Sequence, residues 1–144
     1  MNGKTDYNLD RFKTAQERDY KTALQEIRNG RKLSHWMWYI FPQLDTLGYS
    51  PTAKYYGIHG IEEAKAYIAD DILLSHLIEI SEALLALKSD NASQILGYPD
   101  DLKLKSCMTL FHIVCPDVDI FQKVLDKFYG GEQDEKTIEL IKNG

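Results

Sequence analysis

An all-helical fold, a compact single-domain array of about eight short-to-medium helices, is what this amino-acid sequence predicts. Three observations carry that expectation. Apolar residues recur at three- and four-residue intervals along most of the chain, the spacing that lines one face of a helix. Gly, Pro, Ser, Asp and Asn fall between those stretches, where helix caps and stops belong. Nowhere does an alternating apolar and polar run sit between hairpin turn residues, so strands are not expected. The 144 residues fit one domain, long enough to bury roughly 68–70 % of the unfolded surface. No repeat, low-complexity tract or linker divides residues 1–144.

Residues 1–8 are polar and read as a flexible N-terminal tail. Leu9, Phe12 and Ala15 then mark a short first helix, and Tyr20, Ala23, Leu24 and Ile27 a cleaner amphipathic stripe that Asn29 and Gly30 close. The stretch Gly30 to Leu44, GRKLSHWMWYIFPQL, holds the chain's most unusual residues: both tryptophans, a tyrosine, a phenylalanine and a histidine within seven positions. Ser34 is placed to cap a helix over His35 to Ile40, because its hydroxyl can accept from amides that a new helix leaves unpaired. Pro42 disfavours the α conformation at Phe41 and stops it. So short a helix must be held by tertiary contacts, since nucleation fixes several dihedrals for each early hydrogen bond.

Ser50 and Pro51 form an N-cap and first-turn pair for a helix through Tyr55, ended by Gly57. Gly60 precedes a helix bearing Ile61, Ala64 and Ile68. Asp70 or Asp71 caps the longest apolar helix, which runs to about Lys88 with Ile72, Leu74, Leu77, Ile78, Ser81, Leu84 and Leu85 as its main face; Leu73, Ile80 and Leu87 widen it. So broad a stripe implies neighbours on several sides and a central position. Asp90 and Asn91 cap a brief helix that Gly97 ends, and Pro99 opens a longer one with Asp100 and Asp101 in the first turn and a core stripe of Leu104, Met108, Phe111 and Cys115. Pro116 stops it. Phe121, Val124, Leu125 and Phe128 define the next, Gly130 and Gly131 break it, and Asp134 caps a last helix carrying Ile138 and Ile141.

Composition removes several function classes. A net charge of −5 argues against general nucleic-acid binding, which needs a basic surface to neutralise phosphates. The longest uncharged apolar stretches, Leu33 to Leu44 and Ser106 to Pro116, are too short to span a membrane, and the first twenty residues lack the apolar core of a signal peptide. Cys107 and Cys115, if on one helix, lie about 12 Å apart along its axis, beyond disulfide reach. Reduced cysteines and no targeting segment point to the cytoplasm. The sequence contains no HExxH, CxxC, GxxxxGK[ST] or GxGxxG. Cys107 and His112 are five positions and about 140° apart on a helix, so Cys107, His112 and Cys115 do not converge on one metal ion, and no cofactor is implied.

Two stretches remain as site candidates. The aromatic helix is either a core plug or a wall whose ring faces, at Trp36 or Trp38, stack on a flat ligand while Arg31, Lys32 and the Ser34 helix start attract an anion. On the Pro99 helix, Asp101, Lys105, Thr109 and His112 form a polar line opposite the apolar stripe: a solvated face, or an inward one on which Asp101, Lys105 and His112 are partly desolvated together. In KYYGI, Tyr55 and Tyr56 either pack or lend a hydroxyl beside Trp36. The functional expectation is a cleft between the 35–40 and 99–115 helices for a small flat anionic molecule such as a nucleotide derivative. His35 and Asp101 would be its proton-handling pair if chemistry follows binding, His35 because imidazole titrates near neutral pH. The alternative is a non-enzymatic protein-interaction module whose aromatic surface receives a partner's apolar helix.

SHWMWYIFPQL, SPTAKYYGI from Ser50, ILGYPDDLKLKSCMTLF from Ile95 and FYGGE from Phe128 together resemble the bacterial family catalogued as domain of unknown function 1810. The resemblance runs in order over nearly the whole chain without a large insertion. It implies no reaction and no catalytic residue. Some members bear the label calpastatin-like, which conflicts with these residues: calpastatin segments are repetitive, disordered and poor in aromatics, whereas this chain is aromatic-rich and patterned to fold.

Overall fold

The first helix, α1 (Asp10–Arg28), is one continuous rod rather than the two shorter stretches that its apolar spacing predicts. Nothing between Ala15 and Tyr20 breaks a helix, and Phe12, Ala15, Gln16, Tyr20, Ala23 and Ile27 make a single buried stripe. The computed structural model describes residues 7–143; of the expected flexible tail, residues 1–6 lie outside the described residues, while Tyr7 and Asn8 are tied in through their carbonyls, to the Leu9 amide at 2.7 Å and the Arg11 guanidinium at 2.6 Å.

Eight further helices follow among the described residues: α2 (Met37–Ile40), α3 (Pro51–Tyr56), α4 (Ile61–Ala69), α5 (Asp71–Ala86), α6 (Ala92–Leu96), α7 (Asp100–Val114), α8 (Ile120–Tyr129) and α9 (Glu135–Asn143). A 3₁₀ turn at Asp45–Leu47 precedes α3. The described residues form no strand, only an isolated parallel bridge between Leu44 and Ile58. Local caps account for several boundaries. Ser50 accepts from the Ala53 amide, Asp70 from Ile72 and Leu73, and Asn91 from Gln94. Gly130 ends α8 in the left-handed conformation at φ 64°. Gly57 is required by a close approach, because a Cβ there would collide with the backbone of Asp45.

One hydrophobic core joins the elements, with α5 packed on α1, α4 and α8, and α7 on α4, α6, α8 and α9. The face of α5 is rotated from the expected one. Leu73, Leu77, Ile80, Ser81 and Leu84 are buried, while Ile72 is exposed. On α9 the fully buried residue is Thr137, with Ile141 only partly packed.

Two polar assemblies, one buried and one half-buried, fix the geometry. The Arg11 guanidinium donates all five N–H groups: Nε to Tyr55 O (2.7 Å), Nη1 to Asn8 O (2.6 Å) and Glu63 Oε2 (2.9 Å), and Nη2 to Gly57 O (2.8 Å) and Glu63 Oε1 (3.1 Å). The Lys127 ammonium donates to the carbonyls of Leu84 (3.0 Å), Leu85 (3.1 Å) and Leu87, closing the C-terminus of α5 with a charge opposed to its dipole.

Candidate functional site

The aromatic segment folds around Glu26 of α1. Its Oε1 accepts from the amides of Leu33 (2.8 Å) and Ser34 (2.9 Å) and from the Trp36 indole (2.9 Å), while the Ser34 hydroxyl donates to Oε2 at 2.5 Å. Burial resists this charge, but the four donors outweigh it and bring the carboxyl down to about 2. The expected anion-binding helix start is thereby corrected in two respects. The Ser34 hydroxyl serves Glu26 rather than capping a helix, and α2 begins only at Met37 after an N-cap residue, Trp36, that makes no side-chain cap. The amides that were to attract a ligand's charge already hold the chain's own carboxylate.

Trp36 is 1 % exposed, so its ring faces are closed to any ligand. Lys32 is also engaged: its ammonium pairs with Asp100 at 3.0 Å and lies 5.2 Å from the centre of the Trp36 ring. Arg31 is exposed, and its side chain makes no hydrogen bond or ion pair with a described residue. Tyr56 packs against the rings of Phe12 and Tyr39, at 6.3 and 4.9 Å between centres, which is the packing alternative for the tyrosine pair.

Trp38 differs. Half-buried and carrying the Lys103 ammonium 5.1 Å from its ring centre, it lines a cleft of about 480 Å³ with Leu47, Tyr49, Ala53, Pro99 and Leu102 as further apolar walls. Polar groups enter from Ser50, Lys103, Ser106, Asp134 and Lys136. A cleft between the aromatic segment and α7 therefore exists, but its lining comes from a different face of α7 than the expected polar line. Pro99, Leu102, Lys103 and Ser106 recur at three- and four-residue spacing and face Trp38. Asp101, two positions from Lys103 and about 200° around the helix, lines another depression with Lys105, Asp126, Lys127 and Tyr129.

The polar line on α7 does not act as a unit. Lys105 pairs with Glu132 at 3.3 Å rather than with Asp101, and Thr109 is buried, donating to Lys105 O and accepting from the Asp134 amide, each at 2.8 Å. Asp101 Oδ1 and His112 Nδ1 are buried without a partner among the described residues. Eleven residues, about 16 Å of helix, separate them, too far for one ligand to satisfy both at once. His35 is exposed and joined to Asp101 by no hydrogen bond or ion pair among the described residues, so the expected proton-handling pair is not assembled. No group of three or more His, Cys, Asp or Glu among the described residues is placed to hold a metal ion.

Sequence reasoning missed Tyr49, Lys103, Ser106, Asp134 and Lys136. The signal available was the spacing of Pro99, Leu102 and Ser106 on α7; Asp134 and Lys136 reach the cleft only through the tertiary packing of α9 on α7.

Fold and cleft together define a class: an all-helical protein with an aromatic cleft edged by lysines. The chain belongs to the family described as Protein of unknown function (DUF1810), which matches residues 6–141. It is similar to the conserved hypothetical protein Rv1873 from Mycobacterium tuberculosis, solved by crystallography at 1.38 Å, with 43 % identity and a TM-score of 0.92 over 94 % of this chain and 97 % of that one. No curated protein matches the sequence.

Proposed function

We propose that the chain binds a small flat anionic molecule in the cleft between α2 and α7. The observation that carries this reading is Trp38: of the two indoles it alone is incompletely buried, and it stands in a cleft with two lysines although the chain as a whole is acidic. The volume, about 480 Å³, falls within the range of small-molecule sites. Trp38 supplies stacking area, and Lys103 and Lys136 supply positive charge. Lys103 forms an ion pair with Asp100 at 3.3 Å, an i,i+3 contact, and its ammonium lies over the Trp38 ring, so it is already held at the indole where a ligand's negative charge would sit. The residues expected from sequence, Arg31, Lys32, Ser34 and Trp36, have no part in the binding, and no proton-transfer step is assigned to His35 and Asp101.

The competing reading is a surface for a partner's apolar helix, favoured by the exposure of Tyr49 (89 %), Tyr98 (78 %) and Leu102 (49 %) at or beside the cleft. A bacterial, cytoplasmic setting belongs to the same proposal, with two free thiols and no described helix long and apolar enough to cross a membrane. Calorimetric titration with a panel of nucleotides and phosphorylated metabolites decides between the readings. Binding that Trp38→Ala and Lys136→Ala each weaken at least tenfold supports the ligand site. Silence across the panel, with a protein partner retained by the wild type and lost from Trp38→Ala, favours the interaction surface.

A further inference from the structure

Asp134 refines the binding reading, on which this inference rests, by restricting the ligand's class. It caps α9: Oδ2 accepts from the Thr137 amide (3.0 Å), the Thr137 hydroxyl (2.6 Å) and the Ser106 hydroxyl (3.2 Å). Those three bonds fix the carboxylate's orientation on the cleft wall. Its other oxygen is different. No described residue donates to Oδ1, and no described lysine, arginine or histidine forms an ion pair with Asp134, although Lys103 and Lys136 line the same cleft. An ionised carboxylate accepts hydrogen bonds and donates none.

The cleft thus joins an indole for stacking, ammonium groups for an anion, and on its wall a carboxylate oxygen to which no described residue donates and which is open to a ligand's N–H donors. Among the nucleobases, guanine carries two donors side by side on one edge, the ring N1–H and the exocyclic N2 amine. Adenine and cytosine place a ring acceptor next to their amine, and uracil flanks its single N–H with two carbonyls. Each of those sets lone pairs against the carboxylate, and a site built for donors discriminates strongly against a ligand that lacks them. We propose that the cleft takes a guanine nucleotide, its base stacked on Trp38 with the N1–H and N2 amine donating to Asp134 Oδ1, and its phosphate held by Lys103 and Lys136.

The test is calorimetry of the full chain with GMP, AMP and guanosine, repeated on Asp134→Asn and Lys136→Ala. Asparagine is as good an N-cap as aspartate, so α9 is retained, which a thermal melt verifies. GMP is expected to bind at least tenfold tighter than AMP. Asp134→Asn should reduce GMP affinity at least tenfold while changing AMP little, and guanosine should bind more weakly than GMP by a margin that narrows in Lys136→Ala. Equal binding of GMP and AMP by the wild-type chain, or a guanine preference that survives in Asp134→Asn, overturns the guanine assignment and leaves the flat-anion reading standing. No binding of any of the three by the wild type, with no other member of the nucleotide and metabolite panel binding, overturns both.

Discussion

The indole N–H of Trp36 donates to Glu26 Oε1 at 2.9 Å, and this contact turns the aromatic segment inward at its first tryptophan. Glu26 gathers four donors with one carboxylate, so replacing it leaves several of them buried and unpaired. Glu26→Gln sets an amide N–H₂ against groups that themselves donate, and the expected loss is about 3 kcal/mol of unfolding free energy. Denaturant titration measures it.

The same carboxylate sets an acid limit. Its folded value of about 2 lies below the ordinary 4.5, so the stability it contributes is complete above pH 4.5 and is lost as pH falls through 2. Between those values the Glu26→Gln variant should show a flatter dependence of unfolding free energy on pH than the wild type. Parallel slopes in that window would remove Glu26 as the cause.

Breaking the Arg11–Glu63 pair should be among the costlier changes. Both side chains are buried, and Arg11→Met strands a carboxylate whose main partner is gone, at a cost of about 3–5 kcal/mol. Arg11→Lys should rescue little, since an ammonium cannot reproduce a fork with five fixed donors. The double variant Arg11→Met, Glu63→Met should be more stable than Arg11→Met alone, because no uncompensated charge remains. Urea midpoints of the set test the ordering.

His76 provides a second pH response. Its ring stacks on Tyr20 with centres 3.8 Å apart, and Nδ1 meets Gln16 Oε1 at 2.8 Å. Burial lowers its pKa below the ordinary 6.5, against the opposing pull of Glu79. The neutral ring's contribution is complete above pH 6.5 and declines as pH falls through the lowered folded value. His76→Gln should remove that part of the decline; an unchanged profile would contradict the assignment.

The two thiols should separate cleanly. Cys107 is fully buried, which pushes its pKa well above 9.0, whereas Cys115 at the end of α7 is partly accessible. A thiol-reactive probe under native conditions should label Cys115 and spare Cys107 until the protein unfolds. Mass spectrometry of the labelled peptides distinguishes them.

Much of the fold was readable because its punctuation is local. Ser50 with Pro51, Asp70, Asn91 and Gly130 act through their own turns, and each lies where its residue type predicts. Ser34 misled because its hydroxyl had a stronger partner eight residues back, and a tertiary bond to a carboxylate displaced a local cap. The rotated face of α5 has a similar origin: with apolar residues on nearly every side, the packing of α1, α4 and α8 selected which of them to cover. The position of the cleft was legible, as Trp38 and the Pro99 segment do meet. Its polar groups were not, because Asp134 and Lys136 arrive from a helix whose docking no local pattern encodes.

The three carbonyls gathered by Lys127 tie the last turn of α8 to the C-terminus of α5. Lys127 stands seven residues before Asp134, with Gly130 and Gly131 turning the chain between them, so the cleft's carboxylate is located in part by where α5 stops. One residue inserted into α5 would advance its last carbonyls by about 1.5 Å and swing them through about 100°. The end of a helix that contributes nothing to the cleft's lining therefore bears on where the turn leading to Asp134 begins.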